Sequence, residues 1–560
     1  MRFEFKQIYS LSKIRLEDDY CFASSYNNTN VLAGEEFSYQ IAIKSVEKTE
    51  FCFEVNSELS DFVSLYLVRD SVMDMAAYSH CHDDDYITKE PGFMPDILLP
   101  LEKQNGLVQA MSKPFAIWVR VNIPRGFKCG IYPINITIKA RANEQNFYDN
   151  IVWDEMCSTF NVEVINLDLP QQKTLFTQWF YADCIASVHN VSIYSDEHWD
   201  LIDKYMHLAA ELGINMILTP VITPPLDVEV GRKRPNVQLA RITYENGKYE
   251  FDFSLLKKWI ELAQKNKISH FEISHMFSQW GLKYSPNIEV FEDGNPCDKF
   301  GWHVLAKSSE YIEFLKSFIP ELVKFLEDEA VLENTYLHLS DEPSLDAFES
   351  YKEASDIVKP LIKGGKILDA ISNIQFFNEG FMDVPVTAID YIGPFLESDV
   401  KEQWAYYCCA QHEKVSNRFL SMPLYRNRII GIQMYKADIK GFLHWGYNFY
   451  NSGLSKYSIN PYVTTSADLR FPSGDAFSVY PTNNGVIPSM RAVVFKEALQ
   501  DVEVLRSLEK YIGKKAVNDM IDEAAGDNVT FENYPRCVNF VPELMQKVKE
   551  KIKSLTLRNN

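Results

Sequence analysis

Residues 334–364, NTYLHLSDEPSLDAFESYKEASDIVKPLIKG, combine the two patterns that decide the fold. The first part is a short apolar run with the character of a buried strand, and it stops at the neighbouring acids Asp341 and Glu342. The second part, from Ser344 onward, repeats apolar residues at helical spacing. A buried strand followed directly by an amphipathic helix is typical of a protein with a parallel sheet.

The same strand-and-helix pattern recurs on both sides of this stretch. Strand-like runs occupy 174–184, 214–224, 270–277, 335–343, 366–372, 386–393, 403–410 and 441–450. Amphipathic helices are predicted at 196–213, 253–267, 311–330 and 344–364. Eight strands with intervening helices over about 280 residues predict a (β/α)8 barrel.

The two ends of the chain have other patterns. Short alternating runs before residue 170, such as 37–46, 114–124 and 146–170, predict an antiparallel β-sandwich. Strong helical periodicity returns at 491–513 and 541–555. We therefore predict three domains: a β-sandwich over 1–170, a catalytic barrel over 171–458, and a C-terminal loop and helical cap over 459–560 that packs on the barrel.

Composition limits the classes of partner. The 560 residues carry a formal charge of −21, which disfavours nucleic acid and anionic membranes and favours a neutral glycan or glycoconjugate. Aromatic residues, 13% of the chain, provide faces on which sugars stack. Neither a membrane span nor a secretory signal is visible, and the ten cysteines include no C-x-x-C pair, so we predict a cytoplasmic protein with reduced thiols. The oligomeric state is not predicted.

Asp341 and Glu342 come at the carboxyl end of the fourth predicted strand, where barrels of this kind hold their active sites. An alternative is that the acids only cap the helix that follows them. Other polar and aromatic residues occupy the same place on other strands: Asp183, His275, Trp280, Asp369, Asn373, Asp390, Tyr391, Tyr406, Tyr407, His444, Trp445 and Tyr447. Each has a structural alternative, but together they predict a pocket of carboxylates walled by aromatic rings.

Such a pocket suits glycoside hydrolysis, which needs a proton donor and a nucleophile or negative charge near the anomeric carbon. Retaining enzymes with two carboxylates hold them about 5–5.5 Å apart across the bond, usually on different strands. Adjacent residues such as Asp341 and Glu342 do not provide that arrangement, because their side chains diverge. A substrate-assisted mechanism, in which the sugar's own 2-acetamido oxygen attacks, resolves the difficulty.

Several motifs carry a resemblance to a known family. They include TQWFYADCIA at 177–186, FEISHMFSQWGLKYSP at 271–286, HLSDEPS at 338–344 and FPSGDAFSVYP at 471–481. Over roughly 170–515 the chain resembles glycoside hydrolase family 123, the β-N-acetylgalactosaminidases, whose catalytic domain is shared with the group called domain of unknown function 4091.

The resemblance implies Glu342 as the general acid/base and Asp341 as the residue that polarises the acetamido group. It implies an oxazolinium intermediate, retention of configuration, and release of a β-linked N-acetylhexosamine, N-acetylgalactosamine in particular. No cofactor or metal is expected. The predicted substrate-binding residues are Asp183, His275, Trp280, Asn373, Tyr391, Tyr406, Tyr407, His444, Trp445 and Tyr447. Alternatives are a barrel glycosidase for a different sugar and a non-catalytic carbohydrate-binding protein.

Three further residue assignments keep alternatives. Trp445 is the preferred stacking platform for the sugar, with a plug in the barrel as the alternative. The run SHCHDDDY from Ser79 to Tyr86 suggests a metal site, but crowded neighbours in a loop favour a solvated acidic segment. Arg232, Lys233 and Arg234 bind an anionic part of the glycan or pair with the acidic surface.

Overall fold

The computed structural model describes residues 2–104, 106–142 and 153–557. The chain divides into two compact units. The first unit takes in Met1–Lys173, His412–Lys436 and Ile487–Asn560, and the barrel unit takes in Thr174–Gln411 and Ala437–Val486. The three-domain division stays a prediction.

In its described residues the first unit contains ten strands in two sheets. They are β1 (Phe3–Tyr9), β2 (Asn28–Ala33), β3 (Glu36–Ser45), β4 (Lys48–Asn56), β5 (Val63–Met73), β6 (Gly92–Pro100), β7 (Val108–Met111), β8 (Pro114–Asn122), β9 (Gly130–Ala142) and β10 (Asp154–Asp168). The sheet orders are β1-β3-β8-β5-β6 and β2-β10-β9-β4-β7. All pairs are antiparallel except β10 with β2.

The two sheets share one apolar core, as their alternating sequences predict. Tyr39 on β3 stacks on Phe160 on β10, with ring centroids 4.1 Å apart, so the two inner faces meet. The predicted β-sandwich is confirmed. Of the strand predicted at 146–170, residues 146–152 lie outside the described part of the chain.

The remaining strands all begin within the barrel unit. They are β11 (Leu175–Gln178), β12 (Met216–Thr219), β13 (Arg241–Glu245), β14 (Lys248–Asp252), β15 (His270–Ile273), β16 (Ile288–Glu292), β17 (Asn295–Phe300), β18 (Thr335–Leu337), β19 (Lys366–Ile371), β20 (Val384–Ala388), β21 (Trp404–Tyr406), β22 (Gly441–His444), β23 (Val479–Thr482) and β24 (Gly485–Pro488). A closed parallel barrel runs β11-β12-β15-β18-β19-β20-β21-β22 and returns to β11. The predicted eight-stranded barrel is confirmed.

Helices alternate with the barrel strands and then follow them. They are α1 (Ala182–His189), α2 (Asp196–Glu211), α3 (Ser254–Lys265), α4 (Ser309–Asp328), α5 (Phe348–Val358), α6 (Gln375–Asn378), α7 (Gly393–Leu396), α8 (Leu424–Arg428), α9 (Ile430–Lys436), α10 (Met490–Ile512), α11 (Lys514–Ala525) and α12 (Phe540–Thr556). The predicted helices correspond to α2, α3, α4, α5, α10 and α12. The sequence did not predict the other helices, α1, α6, α7, α8, α9 and α11, and α1 begins inside the run 174–184 that was predicted as a strand.

Two small sheets were also missed. Strands β13, β14, β16 and β17 form a four-stranded sheet, and β23 pairs with β24. The turn between β13 and β14 uses Asn246 and Gly247, both with left-handed backbone (φ 52° and 76°). Asn-Gly between alternating runs is a strong hairpin signal, so this part of the insertion was visible in the sequence.

Tight packing inside the barrel explains one glycine. Gly441 on β22 pairs with Trp404 on β21. A Cβ atom at Gly441 would lie 2.1 Å from the indole ring of Trp404. Only glycine therefore leaves room for this tryptophan between the strands.

No helix in the described ranges combines the length and the apolar character of a membrane span.

Candidate active site

The acid doublet follows β18 directly, at the carboxyl end of the barrel strands. Backbone hydrogen bonds from the loop after β15 hold it there. The amide of Phe277 donates to the carbonyl of Leu339 at 3.0 Å, and the amide of Trp280 donates to the carbonyl of Asp341 at 3.4 Å. The doublet is thus on the rim where this fold forms its active sites.

Neither acid serves as a helix cap. The short helix that begins after Ser344 has no side-chain cap hydrogen bond, and α5 begins without one as well. Instead, Oδ2 of Asp341 accepts a hydrogen bond from Nε2 of Gln279 at 2.7 Å. Oε1 of Glu342 accepts one from the hydroxyl of Tyr406 at 2.5 Å. Both side chains are held by neutral donors and face one pocket.

The doublet has no directly paired cation among the described residues, although the charge of His338 lowers the pKa of Asp341 from a distance. Within the described ranges, no lysine, arginine or histidine forms an ion pair with Asp341 or Glu342. Burial raises the pKa of Asp341, and the charge of Glu342 raises it further. Solvent reaches Glu342 through the pocket, but protein encloses its other sides and raises its pKa too. The pair therefore retains a proton to higher pH than a lone carboxyl group.

Aromatic side chains form much of the pocket wall. Trp445 lines the pocket, and its indole N–H donates to Oδ2 of Asp475 at 2.8 Å. Its ring meets Phe471 edge to face, with centroids 5.0 Å apart. Trp280 also lines the pocket and is 50% exposed. A fixed ring and an accessible ring beside two carboxyl groups match the requirements of a sugar-binding pocket.

A third carboxyl group lines the pocket, Asp227. Its Oδ2 accepts from the amide of Leu454 at 2.8 Å, and its own amide donates to Oε1 of Gln279 at 2.7 Å. Gln279 thus connects Asp227 to Asp341, because its other amide atom donates to that acid. Burial raises the pKa of Asp227. The sequence reading did not single out Asp227 or Gln279.

A fully buried network supports the chain just before the doublet. Asp369 on β19 accepts from the amides of Leu339, at 3.1 Å, and Ser340, at 3.3 Å. Asp369 also contacts Nδ1 of His338 at 3.0 Å, and Glu272 on β15 contacts the other ring nitrogen at 3.0 Å. These contacts tie the residues next to Asp341 to two neighbouring barrel strands.

The network favours the protonated form of His338. Burial alone would lower its pKa, but the hydrogen bonds to Asp369 and Glu272 outweigh it and raise the pKa to about 9. Glu272 also accepts from the indole N–H of Trp179 at 3.0 Å, and Trp179 lines the pocket. The network therefore supports both the doublet and the pocket wall.

His275, His338 and Asp369 offer ligand atoms within 4.8 Å of one another, the spacing of a metal site. The two imidazoles stack nearly parallel, with centroids 4.3 Å apart. Imidazole lone pairs lie in the ring plane, and both nitrogens of His338 already contact carboxylates. His338 and Asp369 therefore fit a hydrogen-bonded charge pair better than a set of metal ligands. His275 stacks on His338, neither of its ring nitrogens has a hydrogen-bond partner among the described residues, and burial lowers its pKa.

The predicted site residues divide into two groups. Asp341, Glu342, Trp280, Tyr406 and Trp445 all line the pocket. The pocket lining does not include Asp183, His275, Asn373, Tyr391, Tyr407, His444 or Tyr447.

Most members of the second group have another partner. Asp183 pairs with the buried guanidinium of Arg234 at 2.7 Å. His444 accepts from the amide of Gly446 at 2.9 Å, Tyr447 donates to a backbone carbonyl at 3.0 Å, and Asn373 accepts from an amide of α6 at 2.9 Å. Their substrate-binding roles stay predictions.

The remaining members of the second group are His275, Tyr391 and Tyr407. His275 is buried against Trp179, with centroids 5.3 Å apart. Tyr391 is 56% exposed. Tyr406 and Tyr407 are consecutive, so their side chains point to opposite faces and only Tyr406 reaches the pocket.

The other charged segments are mostly paired. In the acidic loop, Asp83 pairs with Arg426 at 2.8 Å and Asp85 pairs with Arg536 at 2.8 Å. In the basic run after β12, Arg232 pairs with Glu229 at 2.7 Å and Lys233 pairs with Asp298 at 2.6 Å. Arg234 forms the pair with Asp183 described above. These contacts support the structural alternatives for both segments.

Comparison with known proteins gives one family. The model of the glycoside hydrolase 123 catalytic domain matches residues 179–508. A family 123 glycoside hydrolase from Clostridium perfringens, which was solved to study glycolipid glycan hydrolysis, aligns with a TM-score of 0.72 and 16% identity over 100% of this chain and 98% of that chain. At this identity the likeness shows a shared fold. No curated protein sequence matches the chain.

Two other solved glycosidases are much less similar. The β-D-glucuronidase of Dictyoglomus thermophilum aligns with a TM-score of 0.33 and 11% identity over 89% of this chain and 97% of that chain. A family 5 mannosidase from Rhizomucor miehei aligns with a TM-score of 0.35 and 10% identity over 59% of this chain and 94% of that chain. Neither likeness bears on the site.

Proposed function

The chain belongs to glycoside hydrolase family 123, and from this premise we propose that it releases a β-linked N-acetylhexosamine, N-acetylgalactosamine in particular, with retention of configuration. The observation that carries the proposal is the pair Asp341 and Glu342, adjacent in one aromatic pocket and held only by neutral donors. The relative from Clostridium perfringens was studied with glycolipid glycans, so we propose glycoconjugates of that kind as a substrate class.

The first step uses the substrate as its own nucleophile. The acetamido carbonyl oxygen attacks the anomeric carbon while the bond from that carbon to the leaving oxygen breaks. Glu342 gives its proton to the leaving oxygen, and an oxazolinium ring forms. Asp341, as the carboxylate, accepts the acetamido N–H and opposes the positive charge of the ring. In the second step water attacks the anomeric carbon and gives a proton to Glu342, while the bond from that carbon to the oxazolinium ring oxygen breaks and restores the acetamido group.

The raised pKa values of the two acids support a shared proton, and the assignment of that proton to Glu342 comes from the family resemblance. Asp341 is buried and Glu342 opens to the pocket, so one carboxyl group can act as an acid while its neighbour carries the charge. Gln279 orients Asp341, and Tyr406 orients Glu342. Trp445 offers a fixed ring face for the sugar.

A second candidate follows from Asp227, a third carboxyl group in the pocket. If Asp227 were the nucleophile, Glu342 would be the acid of an ordinary two-carboxylate enzyme, which needs no acetamido group. The substrate would then be a different sugar. Asp183, Asp369 and Asp390 do not line the pocket and are weaker candidates for a nucleophile.

Inhibition and trapping separate the two candidates. We expect a thiazoline analogue of the oxazolinium to inhibit strongly, because an enzyme is more complementary to species near the transition state than to substrate. Asp341→Asn should weaken that inhibitor and reduce turnover, with less effect on binding of the free sugar. Hydrolysis of aryl β-glycosides should require the 2-acetamido group. A covalent 2-fluoroglycosyl adduct on Asp227, without thiazoline inhibition, would falsify the substrate-assisted mechanism.

A further inference from the structure

A second cleft opens beside the active-site pocket. The two share Gln279 and Trp280, so a chain of sugars leaving the pocket on this side would enter the cleft. The cleft is lined in part by Glu229, Lys283, Tyr284, Trp302 and Arg470. Neither the family match nor the proposed chemistry assigns these residues a role.

Two tryptophans give the cleft surfaces suited to sugar rings. Trp280 is 50% exposed and has left-handed backbone (φ 55°). The indole N–H of Trp302 donates to the carbonyl of Arg232 at 2.7 Å, which fixes its ring. Tyr284 packs against Trp302, with centroids 5.7 Å apart. Partly exposed indole rings provide the apolar faces on which the C–H faces of sugars pack.

The cleft is cationic although the whole chain is strongly acidic, with a formal charge of −21. Its carboxylate, Glu229, is paired with Arg232 at 2.7 Å and Lys456 at 3.4 Å. Lys283 and Arg470 are exposed, and in the described part of the chain neither forms an ion pair. The charged residues of the lining, with the two cations paired to Glu229, thus comprise four cations and one carboxylate.

The surroundings of Arg470 are also informative. Its guanidinium lies 5.8 Å from the centroid of Phe471, a residue of the pocket wall. The charge of Arg470 lowers the pKa of Asp227 without forming an ion pair with it, although burial dominates and raises that pKa. Arg470 therefore stands at the junction of pocket and cleft, where it can reach a sugar directly beyond the scissile bond.

We infer that the cleft binds the leaving-group side of the glycan, and that Lys283 and Arg470 select glycans whose leaving-side sugar carries an acidic group, a carboxylate or a sulfate ester. This inference rests on the proposed function, because a leaving-group side exists only if the pocket holds the N-acetylhexosamine. Lysine and arginine both recognise such oxyanions, and arginine does so with paired hydrogen bonds.

The experiment compares leaving groups on one enzyme. Four β-N-acetylgalactosaminides are used: an aryl glycoside, a disaccharide to a neutral hexose, and matched disaccharides to a uronic acid and to a sulfated hexose. The kcat/KM value of each disaccharide is divided by that of the aryl glycoside for the same variant. For the unmodified protein at low salt we expect about a tenfold preference for an acidic disaccharide over the neutral one, which falls as salt increases.

Substitution of the two cations tests whether they cause the preference for acidic disaccharides. Lys283→Met and Arg470→Met should each reduce the acidic-to-neutral ratio about threefold, and the double variant should bring it close to one. Lys316→Met, an exposed lysine of α4 paired with Glu313, changes the net charge equally and should leave the ratio unchanged. The uronic acid and sulfate arms tell which acidic group is preferred.

The outcomes are distinct. An unmodified protein that cleaves the aryl N-acetylgalactosaminide but shows no preference for an acidic disaccharide overturns the inference and leaves the proposed function standing. A preference that survives in the double variant also overturns it, because the selectivity then lies elsewhere. A protein that cleaves none of the N-acetylgalactosaminides overturns the proposed function, and the inference with it.

Discussion

Glu36 in the first unit and Asp341 in the barrel unit are both buried carboxyl groups, at 2% and 6% exposure, with opposite surroundings. Glu36 accepts hydrogen bonds from Arg120 at 2.7 and 2.9 Å and from Lys496 at 2.7 Å. Burial raises its pKa, but these two cations outweigh burial and lower it to about 2. Asp341 has only a glutamine donor and a second acid beside it, and its pKa is raised.

The difference separates carboxyl groups that hold the fold from those available for chemistry. A paired carboxylate keeps one charge state over the whole physiological range, so it cannot exchange a proton there. An enclosed pair without a cation pays a desolvation cost and gains a proton that it can give up near neutral pH. By its contacts Asp369, in the same barrel unit as the doublet, belongs with the structural group, because His338, Tyr351 and two backbone amides contact it, although burial raises its pKa.

The largest effect expected from this comparison is on catalysis at Glu342. Glu342→Gln removes the transferable proton and should lower turnover by about 10²–10⁴-fold, with a smaller loss for aryl leaving groups that need little protonation. Steady-state kinetics with a series of aryl glycosides measures this. The matched control is Glu349→Gln, an exposed acid on α5, which should have no effect. Equal losses for good and poor leaving groups would contradict the role of Glu342.

The second prediction concerns a structural carboxylate. Asp96 and Arg491 are fully buried, with two hydrogen bonds of 2.9 Å between them. Arg491→Met removes the guanidinium that pairs with the buried charge of Asp96 and should reduce the free energy of unfolding by about 3–5 kcal/mol. Denaturant unfolding measures the loss. The double variant Asp96→Leu/Arg491→Met should recover most of it, and a double variant as unstable as the single one would show that the pair is not the cause.

The third prediction tests the charge of His338 through pH. Its folded pKa, about 9, lies above the value of about 6.5 for an unfolded histidine. The stabilisation from its proton is therefore fully present below about pH 6.5 and is lost as pH rises through about 9. His338→Gln should lower the unfolding free energy by on the order of 2 kcal/mol at pH 6 and by less above pH 9. Chemical denaturation at several pH values measures this.

The control for this pH dependence is His207→Gln. His207 is exposed, at 68% of its side chain, and faces Glu211 at 3.5 Å. Its removal should change the unfolding free energy little at any of these pH values. A loss for His338→Gln that does not diminish at high pH would mean that His338 stabilises the barrel by packing and hydrogen bonding alone.

Local periodicity was enough to predict the barrel, since each strand and each long helix carries its own signal in sequence. The doublet could be placed on the rim for the same reason, because only the end of β18 had to be known. The partners of the doublet could not be found this way. Gln279 and Tyr406 lie 62 and 64 residues from the acids that they contact, and nothing local marks them as donors.

Neighbouring strand residues show a second limit. Tyr406 and Tyr407 have the same chemistry, and only the register of β21 decides which one faces the pocket. The role of Glu272 could not be predicted either, because a single acid in the four-residue strand β15 gives no sign that it contacts His338, which directly follows the neighbouring strand β18. Asp227 lies in a loop that brings it to the pocket through contacts with Leu454 and Gln279.

The smallest expected effect is a shift of the pH profile, and it tests whether neutral donors and nearby charges tune Glu342. Burial raises the pKa of Glu342, the hydrogen bond from Tyr406 lowers it, and the charge of Asp390 raises it. Tyr406→Phe should therefore raise this pKa and move the basic limb of kcat/KM to higher pH, because Glu342 keeps its catalytic proton longer. Asp390→Asn should move the same limb to lower pH. A net hydrogen bond is worth about 0.5–1.5 kcal/mol, so each shift should be at most about one pH unit. The exposed Tyr511 of α10 gives the control Tyr511→Phe, which should leave the profile unchanged. Shifts of the same sign in Tyr406→Phe and Asp390→Asn would show that the basic limb reports another group, and Asp341 would then be the residue to test.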